Sequence, residues 1–355
     1  MLDSQTLDRF LAQFPKLSIG LVGDLFLDKY LELDQSLTEI SIETGLEAFQ
    51  VVRTRCYPGA GGTVLNNLQA LRVGNLSAIS VIGDDGEGYE LTRELGIRGV
   101  NTAGVIVRTD RMTPTYTKPM LSQPHGEPRE LNRIDTKNRT PQSTEVDQLV
   151  IEKLREAAPY LDALIVADQV TERNRGVITD AVRDELSRLG ATHPNLLIFV
   201  DSRSHLGLFR NCTTKPNRTE LDVALGRVGN PTDGNSPDLV LDAAREVSRR
   251  SGRPIFTTLG PDGILWSDGA HSVHVPGIVV EGPIDIVGAG DSTTAGIVAA
   301  LCAGATAEQA AAVGCLVASI TIQQIGVTGT ASPEQVKDRL ESAQWNRTIG
   351  EIPSS

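Results

Sequence analysis

Cysteine is scarce in this 355-residue chain. The four present, Cys56, Cys212, Cys302 and Cys315, show no C-x-x-C spacing, which argues against a zinc site or a dithiol redox motif. Cys302 and Cys315 stand in apolar helical stretches and are expected to be buried small hydrophobes, a usage that suits a reducing cytoplasm. Aromatic residues make up only 4%, which leaves little material for a base-stacking pocket, although one or two rings suffice for a single base. Positive charge is in deficit, with 33 Lys and Arg against 45 Asp and Glu, so the net charge is −12. That balance speaks against a general nucleic-acid binder, which needs a basic face. It does not exclude a small anionic ligand, for which a few local cations suffice. No apolar run reaches membrane-spanning length, because Gly304, Thr306, Glu308 and Gln309 break the most apolar region, Ala295 to Ile322. A signal peptide is not expected, since Asp3 and Asp8 interrupt the start of the chain. No G-x-x-x-x-G-K-[ST] is present, and Gly23 is followed by Asp24 rather than by a G-x-G-x-x-G. Those two absences exclude a P-loop nucleotide site and disfavour a dinucleotide-binding fingerprint.

What is present is a core-forming chain, 40% apolar, with strands and helices in alternation. Short apolar runs predict strands at Leu17–Gly23, Leu76–Ile82, Ala163–Ala167, Leu196–Val200 and Pro254–Thr258. Helical stripes fall between them at Thr63–Leu71, Glu87–Leu95, Thr144–Ala157, Arg173–Leu189 and Leu239–Arg250. Leu7, Phe10, Leu11 and Phe14 predict a short amphipathic helix at the start. Thr306 with Gln309, and Ser332 with Gln335, have capping-box spacing and open two further helices. This order predicts an α/β fold, doubly wound, with a mostly parallel sheet flanked by helices. Two stretches, about 25–56 and 105–122, carry β-branched and aromatic residues without a helical stripe and predict a small β lid. We expect one unit over residues 1–355, with a loose tail at Glu351–Ser355.

The segment richest in chemistry is D-I-V-G-A-G-D, Asp285 to Asp291, followed by a helix of small residues. Gly288, Ala289 and Gly290 let a ligand approach the backbone closely. Their N–H groups lie at a helix start, where donors are unpaired and the dipole favours anions. A carboxylate beside an anion hole does not help binding. It makes sense as a base taking a proton from a nucleophile that attacks a phosphoryl group held there. The competing reading is a glycine turn with Asp291 as a plain cap.

The string D-I-V-G-A-G-D-S-T-T-A-G resembles the C-terminal signature of ribokinase-like (PfkB) carbohydrate kinases. The likeness covers most of the chain in the family's order. G-D-L-F-L-D (Gly23 to Asp28), P-G-A-G-G-T-V-L-N-N-L (Pro58 to Leu68), V-I-G-D-D-G-E-G (Val81 to Gly88), K-P-N-R-T-E (Lys215 to Glu220) and T-L-G-P-D-G (Thr258 to Gly263) all fit it. T-P-T-Y-T-K (Thr113 to Lys118), L-N-R-I-D (Leu131 to Asp135) and I-G-V-T-G-T-A-S-P-E (Ile325 to Glu334) look most like bacterial heptose 7-phosphate kinases.

The resemblance implies ATP-dependent phosphorylation of a hydroxyl on a sugar or sugar phosphate. Asp291 would be the base, and the amides of Gly288, Ala289 and Gly290 the anion hole. Asp24, Asp28, Gly59, Thr63 and Asn67 would bind substrate. Lys118, Arg133 and Arg111 are candidates to grip an anionic group of it, and Arg203 could face donor or acceptor. Asn217, Glu220, Thr258, Gly260 and Gly263 would lie on the ATP side, with Asn217 and Glu220 placing Mg²⁺ through water. Asp285 and the Val287 carbonyl resemble a monovalent-cation site, for K⁺, of part of the family; the alternative is that Asp285 caps the turn. The chain departs from the family loop at Ala60, where a second glycine is usual, and at Thr63, where an Asn is usual. Pro119 also interrupts a lid strand, where it removes a ladder donor. A cytoplasmic homodimer joined through the lid strands is expected, with no nucleic-acid or membrane partner. Two rivals stand beside this reading: a nucleoside or other small-polyol kinase of the same fold, and a non-catalytic sugar- or nucleotide-binding regulator.

Overall fold

A computed structural model describes residues 2–122, 128–227, 237–326 and 328–346. The chain runs α1 (Ser4–Leu11), β1 (Ser18–Gly23), β2 (Leu25–Ile40), β3 (Glu47–Ala60), α2 (Gly61–Ala70), β4 (Asn75–Gly83), α3 (Gly86–Ile97) and β5 (Val100–Arg108). It continues with β6 (Thr115–Leu121), β7 (Arg129–Glu130), β8 (Ile134–Thr136), α4 (Thr144–Ala157), β9 (Ala163–Asp168), α5 (Asp180–Thr192), β10 (Leu197–Ser202) and β11 (Thr213–Thr214). It closes with α6 (Arg218–Ala224), α7 (Pro237–Ser251), β12 (Ile255–Thr258), β13 (Ile264–Ser267), β14 (Ser272–Val275), α8 (Ala289–Cys302), α9 (Ala307–Thr321) and α10 (Pro333–Ser342).

The large sheet has the order β14-β13-β12-β11-β10-β9-β1-β4-β5. It is parallel from β12 to β5, and antiparallel only at the β12–β13–β14 edge. Its central strands are buried throughout, as a sheet covered on both faces requires. One face packs on α1, α2, α8, α9 and α10 through Leu65, Leu68, Ile297, Val313 and Val336. The other packs on α4 and α5 through Val150, Leu154, Val182 and Leu186. This is the doubly wound architecture expected from the sequence, and it gathers ligand-facing residues at the carboxyl ends of the strands. The expected amphipathic start is α1, with Leu7 and Phe10 buried. Both capping boxes form, at Thr306–Gln309 and Ser332–Gln335. No helix among the described residues is long and apolar enough to cross a membrane.

The small sheet has the order β3-β2-β6-β7, with β8 on β6. Register sets Asp28 opposite Tyr57 and Tyr116, and Tyr30 opposite Arg55 and Lys118. Directly opposed residues and those two apart share a face, so these six side chains form one surface. Pro119 falls between the β8 and β7 pairings, where its carbonyl accepts the Leu131 amide at 2.9 Å and neither pairing calls on its missing N–H. A residue without an N–H is harmless there.

Two boundaries differ from the sequence expectation. The 105–122 stretch is divided: β5 is the edge of the large sheet beside β4, and only β6 joins the lid. The helix expected from Arg173 begins at Asp180, capped by the Thr179 hydroxyl, which accepts from the Val182 amide. Residues 173–179 are loop because Asn174 takes a positive φ of 64° and the Val177 amide is held by the Asp24 carboxylate at 2.8 Å. A buried acceptor overrides the helical stripe. The expected tail, Glu351–Ser355, lies outside the described residues, as does Val327 in the Ile325–Glu334 motif.

Candidate functional site

The site begins where α8 starts. Gly288 has φ 80°, a left-handed conformation that glycine adopts freely, and it turns the chain into the helix. The Ala289 N–H donates to the Ile286 carbonyl at 3.1 Å, so it is not available to a ligand, unlike the expectation that all three amides would serve. Gly290 and Asp291 carry first-turn N–H groups, for which a helix supplies no acceptor of its own. An added Cβ at Gly290 would lie 3.6 Å from the Lys215 ammonium, so a buried cation stands beside these donors.

Asp291 lies partly exposed on this first turn. Burial pushes its pKa up to about 7; the Asp201 charge adds to the rise, and Lys215 and Arg203 oppose it. Lys215 is held 3.1 Å from Asp201 Oδ2, and Thr294 donates to the same oxygen at 3.2 Å. Burial pulls the Lys215 pKa down, but Asp201, Glu220 and Asp291 outweigh it, so the group stays a cation. Sequence reasoning did not single out Lys215 or Asp201. Their only signals were a Lys just before Pro-Asn and an Asp at the carboxyl end of a predicted strand.

At the start of α6, Asn217 and Glu220 form a capping box: Asn217 Oδ1 accepts the Glu220 amide at 2.9 Å, and Glu220 Oε2 accepts the Asn217 amide at 2.8 Å. Burial raises the Glu220 pKa, with Asp201 adding to it and Lys215 opposing it. Its Oε1 accepts no hydrogen bond recorded among the described residues and is the oxygen left for a hydrated cation. Thr258 bridges to Asn217, and its amide donates to the Pro216 carbonyl at 2.9 Å. Gly260 (φ 62°) and Gly263 (φ 94°) make the turn that follows. A Cβ on Gly263 would meet the Val275 carbonyl at 2.1 Å. No cluster of three or more His, Cys, Asp or Glu side chains that could hold a bare metal ion occurs among the described residues.

In the small sheet, the Asp28 carboxylate lies 3.2 Å from Lys118 Nζ, and a Cβ on Gly59 would meet Asp28 Oδ2 at 2.6 Å. Gly59 therefore leaves the space that the carboxylate occupies. The Asp28 charge adds, least of the named causes, to the rise in the Asp291 pKa. Lys118 also donates to the Tyr30 hydroxyl at 3.0 Å, and Arg133 is forked onto Asp135 at 2.6 and 3.0 Å. Both cations thus have partners within the lid. Thr63 is buried, and its methyl carbon lies 3.4 Å from where a Gly288 Cβ would stand. Asn67 donates to the Thr63 carbonyl at 3.0 Å inside α2, while its Oδ1 has no partner. Asp24 is buried and accepts amides from Gln169, Val170 and Val177. Burial, and then Asp168, raise its pKa to about 6. Three backbone amides make Asp24 a loop anchor first. Asp285 accepts the Val287 amide at 3.0 Å and the Gly326 amide at 3.3 Å, so it clasps a turn while each oxygen keeps a further lone pair.

Residues 43–335 match the family described as pfkB family carbohydrate kinase. The Bifunctional protein HldE of Pelobacter propionicus is 29% identical over 89% of this chain and 61% of its own length, so the chain spans somewhat under two thirds of that relative. Among solved structures, phosphofructokinase-2 from Escherichia coli in complex with potassium superposes with a TM-score of 0.68 at 20% identity, covering 91% of this chain and 97% of that one. Arabidopsis thaliana ribokinase complexed with ribose and ATP gives 0.64 at 17% identity, covering 92% and 99%. These likenesses to solved structures carry the fold; the family match carries the membership. This chain belongs to the pfkB family of carbohydrate kinases.

Proposed function

We propose that the protein transfers the γ-phosphoryl group of ATP to a hydroxyl of a sugar or sugar phosphate, and that heptose 7-phosphates are the first acceptors to test. The observation that carries this reading is the pairing, on one helix turn, of unsatisfied amides with a carboxylate whose pKa lies near 7. A general base works best when its pKa is close to the working pH.

In the step, the acceptor oxygen attacks the γ-phosphorus, the bond to the β-phosphate oxygen breaks, ADP departs, and the hydroxyl proton passes to Asp291. The amides of Gly290 and Asp291 and the Lys215 ammonium face the charge that spreads over the equatorial oxygens. Asp28, whose carboxylate fills the space that Gly59 leaves, accepts from acceptor hydroxyls. The Thr258–Gly263 turn and the start of α6 line the donor side. Glu220 and Asn217 would hold Mg²⁺ through its waters, and that ion neutralises phosphate charge. The lid excludes water, which would otherwise compete as acceptor. Asp285 and the Val287 carbonyl would be the place for a monovalent cation, since each Asp285 oxygen accepts one amide and keeps a lone pair for an ion. All four cysteines are free, which supports a reducing, cytoplasmic setting.

Release of ADP is the test, with Mg²⁺-ATP and a panel of sugars, sugar phosphates including heptose 7-phosphates, and nucleosides. Turnover on a sugar or sugar phosphate supports the reading. Turnover on nucleosides alone selects that rival. Binding of ATP or of a sugar without any ADP release selects a non-catalytic regulator.

A further inference from the structure

Three consecutive hydroxyls follow Asp291 on α8, and the fold gives them different partners. Ser292 lies 3.0 Å from the Ala289 carbonyl and 2.9 Å from the Thr321 hydroxyl of α9. Thr293 donates to the Ala289 carbonyl at 2.7 Å, four residues back on its own helix. That is the ordinary use of a helical Thr. Thr294 stands 3.1 Å from the corresponding carbonyl, that of Gly290, but it also reaches a carboxylate on another element, Asp201 Oδ2 on β10, at 3.2 Å.

A hydroxyl has one proton, so these two acceptors compete for it. Helical geometry already brings the Thr294 main-chain N–H to the Gly290 carbonyl. The carboxylate is also the stronger acceptor, since a hydrogen bond to an ionised group is about twice as strong as a neutral one. The proton therefore goes to Asp201. The same carboxylate oxygen lies 3.1 Å from the Lys215 ammonium, and among the described residues Asp201 is the one acid within ion-pair distance of that group. Asp201, Lys215 and Thr294 are all buried, so water dilutes none of these contacts. Lys215 in turn lies 3.6 Å from where a Gly290 Cβ would stand. Thr294 thus ties the helix turn that supplies the free amides to the carboxylate that fixes the cation beside them.

We propose that Thr294 is a positioning residue for phosphoryl transfer: by holding Asp201, it sets how far the Lys215 ammonium stands from the Gly290 and Asp291 amides. The phosphoryl transfer rests on the kinase reading; the Thr294–Asp201–Lys215 contact does not. With the hydroxyl present, Asp201 divides its charge between two donors. Without it, Lys215 is drawn closer to Asp201 and away from the transferring oxygens. The charges that act on Asp291 are Asp201 and Asp28 as acids and Lys215 and Arg203 as cations. Loss of the hydroxyl leaves the Asp201 charge less screened and Lys215 further from Asp291, and both changes raise the Asp291 midpoint.

The test uses three variants of the full chain. Thr294→Val keeps the shape and loses the hydroxyl, Thr294→Ser keeps the hydroxyl, and Thr293→Val loses a hydroxyl bonded only within α8. Turnover with Mg²⁺-ATP and the best acceptor is one readout. Titration of the Asp291 carboxyl by carbon-13 NMR is the other, and it needs no turnover. Thr294→Val is expected to lower kcat about tenfold, the value of one charge-assisted hydrogen bond, while KM for ATP changes by less than about twofold. Its Asp291 midpoint should rise by about half a unit. Thr294→Ser should restore both quantities, and Thr293→Val should move neither. If Thr294→Val does not fold, Thr294→Ala replaces it, since it also lacks the hydroxyl and sets no methyl against the carboxylate. Where wild type turns over, a hydroxyl-free variant that matches it in either readout overturns the proposal, and so does Thr293→Val showing the same losses. Failure of the kinase reading looks different: wild type releases no ADP with any acceptor, yet the Asp291 midpoint still moves in Thr294→Val and not in Thr293→Val.

Discussion

At the residue scale, Asp291 sits partly exposed where burial and the Asp201 charge disfavour an ionised carboxylate, with Lys215 as the main offset. Because a base must be ionised to accept a proton, turnover should rise with pH through a value near 7 and level off above it. Lys215→Met removes the offsetting cation and leaves Asp201 beside Asp291 uncompensated. The acid limb of the pH–rate profile should then move to higher pH by about one unit. A limb that stays in place would show that Lys215 does not set the base. Asp291 and its glycines were legible in the sequence because they are contiguous. Lys215 and Asp201 were not, because β10, the residues after β11 and the start of α8 supply the cluster from three separate places that only the fold joins. The partners of the lid cations were hidden for a related reason. Sequence showed Lys118 and Arg133 as charges, but the register that gives them Asp28 and Asp135 as partners is a tertiary fact.

At the element scale, the most local departure lies at the start of α2. Ala60 caps that helix with φ 52° and ψ −122°, a region open to glycine and strained for any residue with a Cβ. The family pattern has glycine at this point, and the backbone has kept the glycine conformation. Ala60→Gly should therefore stabilise the protein by about 1 kcal/mol, since relief of strain exceeds the extra chain entropy of glycine. Denaturant unfolding measures this, and a loss of stability would show that the strain is absent. Elements with strong end signals were read closely: α4 begins after Ser143 and spans the expected residues. The error at α5 arose because the stripe from Arg173 is real in the sequence, yet a buried carboxylate from β1 captures the amide of Val177. Likewise, nothing in the Val105–Leu121 composition reveals that the chain changes sheets between β5 and β6.

At the scale of the whole molecule, the doubly wound sheet and the lid enclose one cleft from two sides, and this arrangement follows from strand order rather than from any motif. The far end of the lid has another character. Leu37, Ile40, Ile42, Leu46 and Phe49 are exposed along the β2–β3 hairpin. Apolar side chains grouped on a sheet edge favour pairing with a second copy. A homodimer through these strands is the expected state, and Ile42→Glu with Leu46→Glu should shift light scattering to the monomer mass. A wild-type monomer at assay concentration would reject it. The central claim, that Asp291 is the base, is tested most directly by comparing Asp291→Asn with wild type at pH 8, for turnover and for thermal midpoint together. Turnover should fall about 10²- to 10⁴-fold. The midpoint should stay level or rise, because the amide removes a charge that the fold disfavours, and the difference should shrink as pH falls from 7 towards the ordinary Asp value of 3.8, below which Asp291 is neutral in both folded and unfolded chains. A variant that turns over near the wild-type rate, or one that is destabilised at pH 8, would contradict the account.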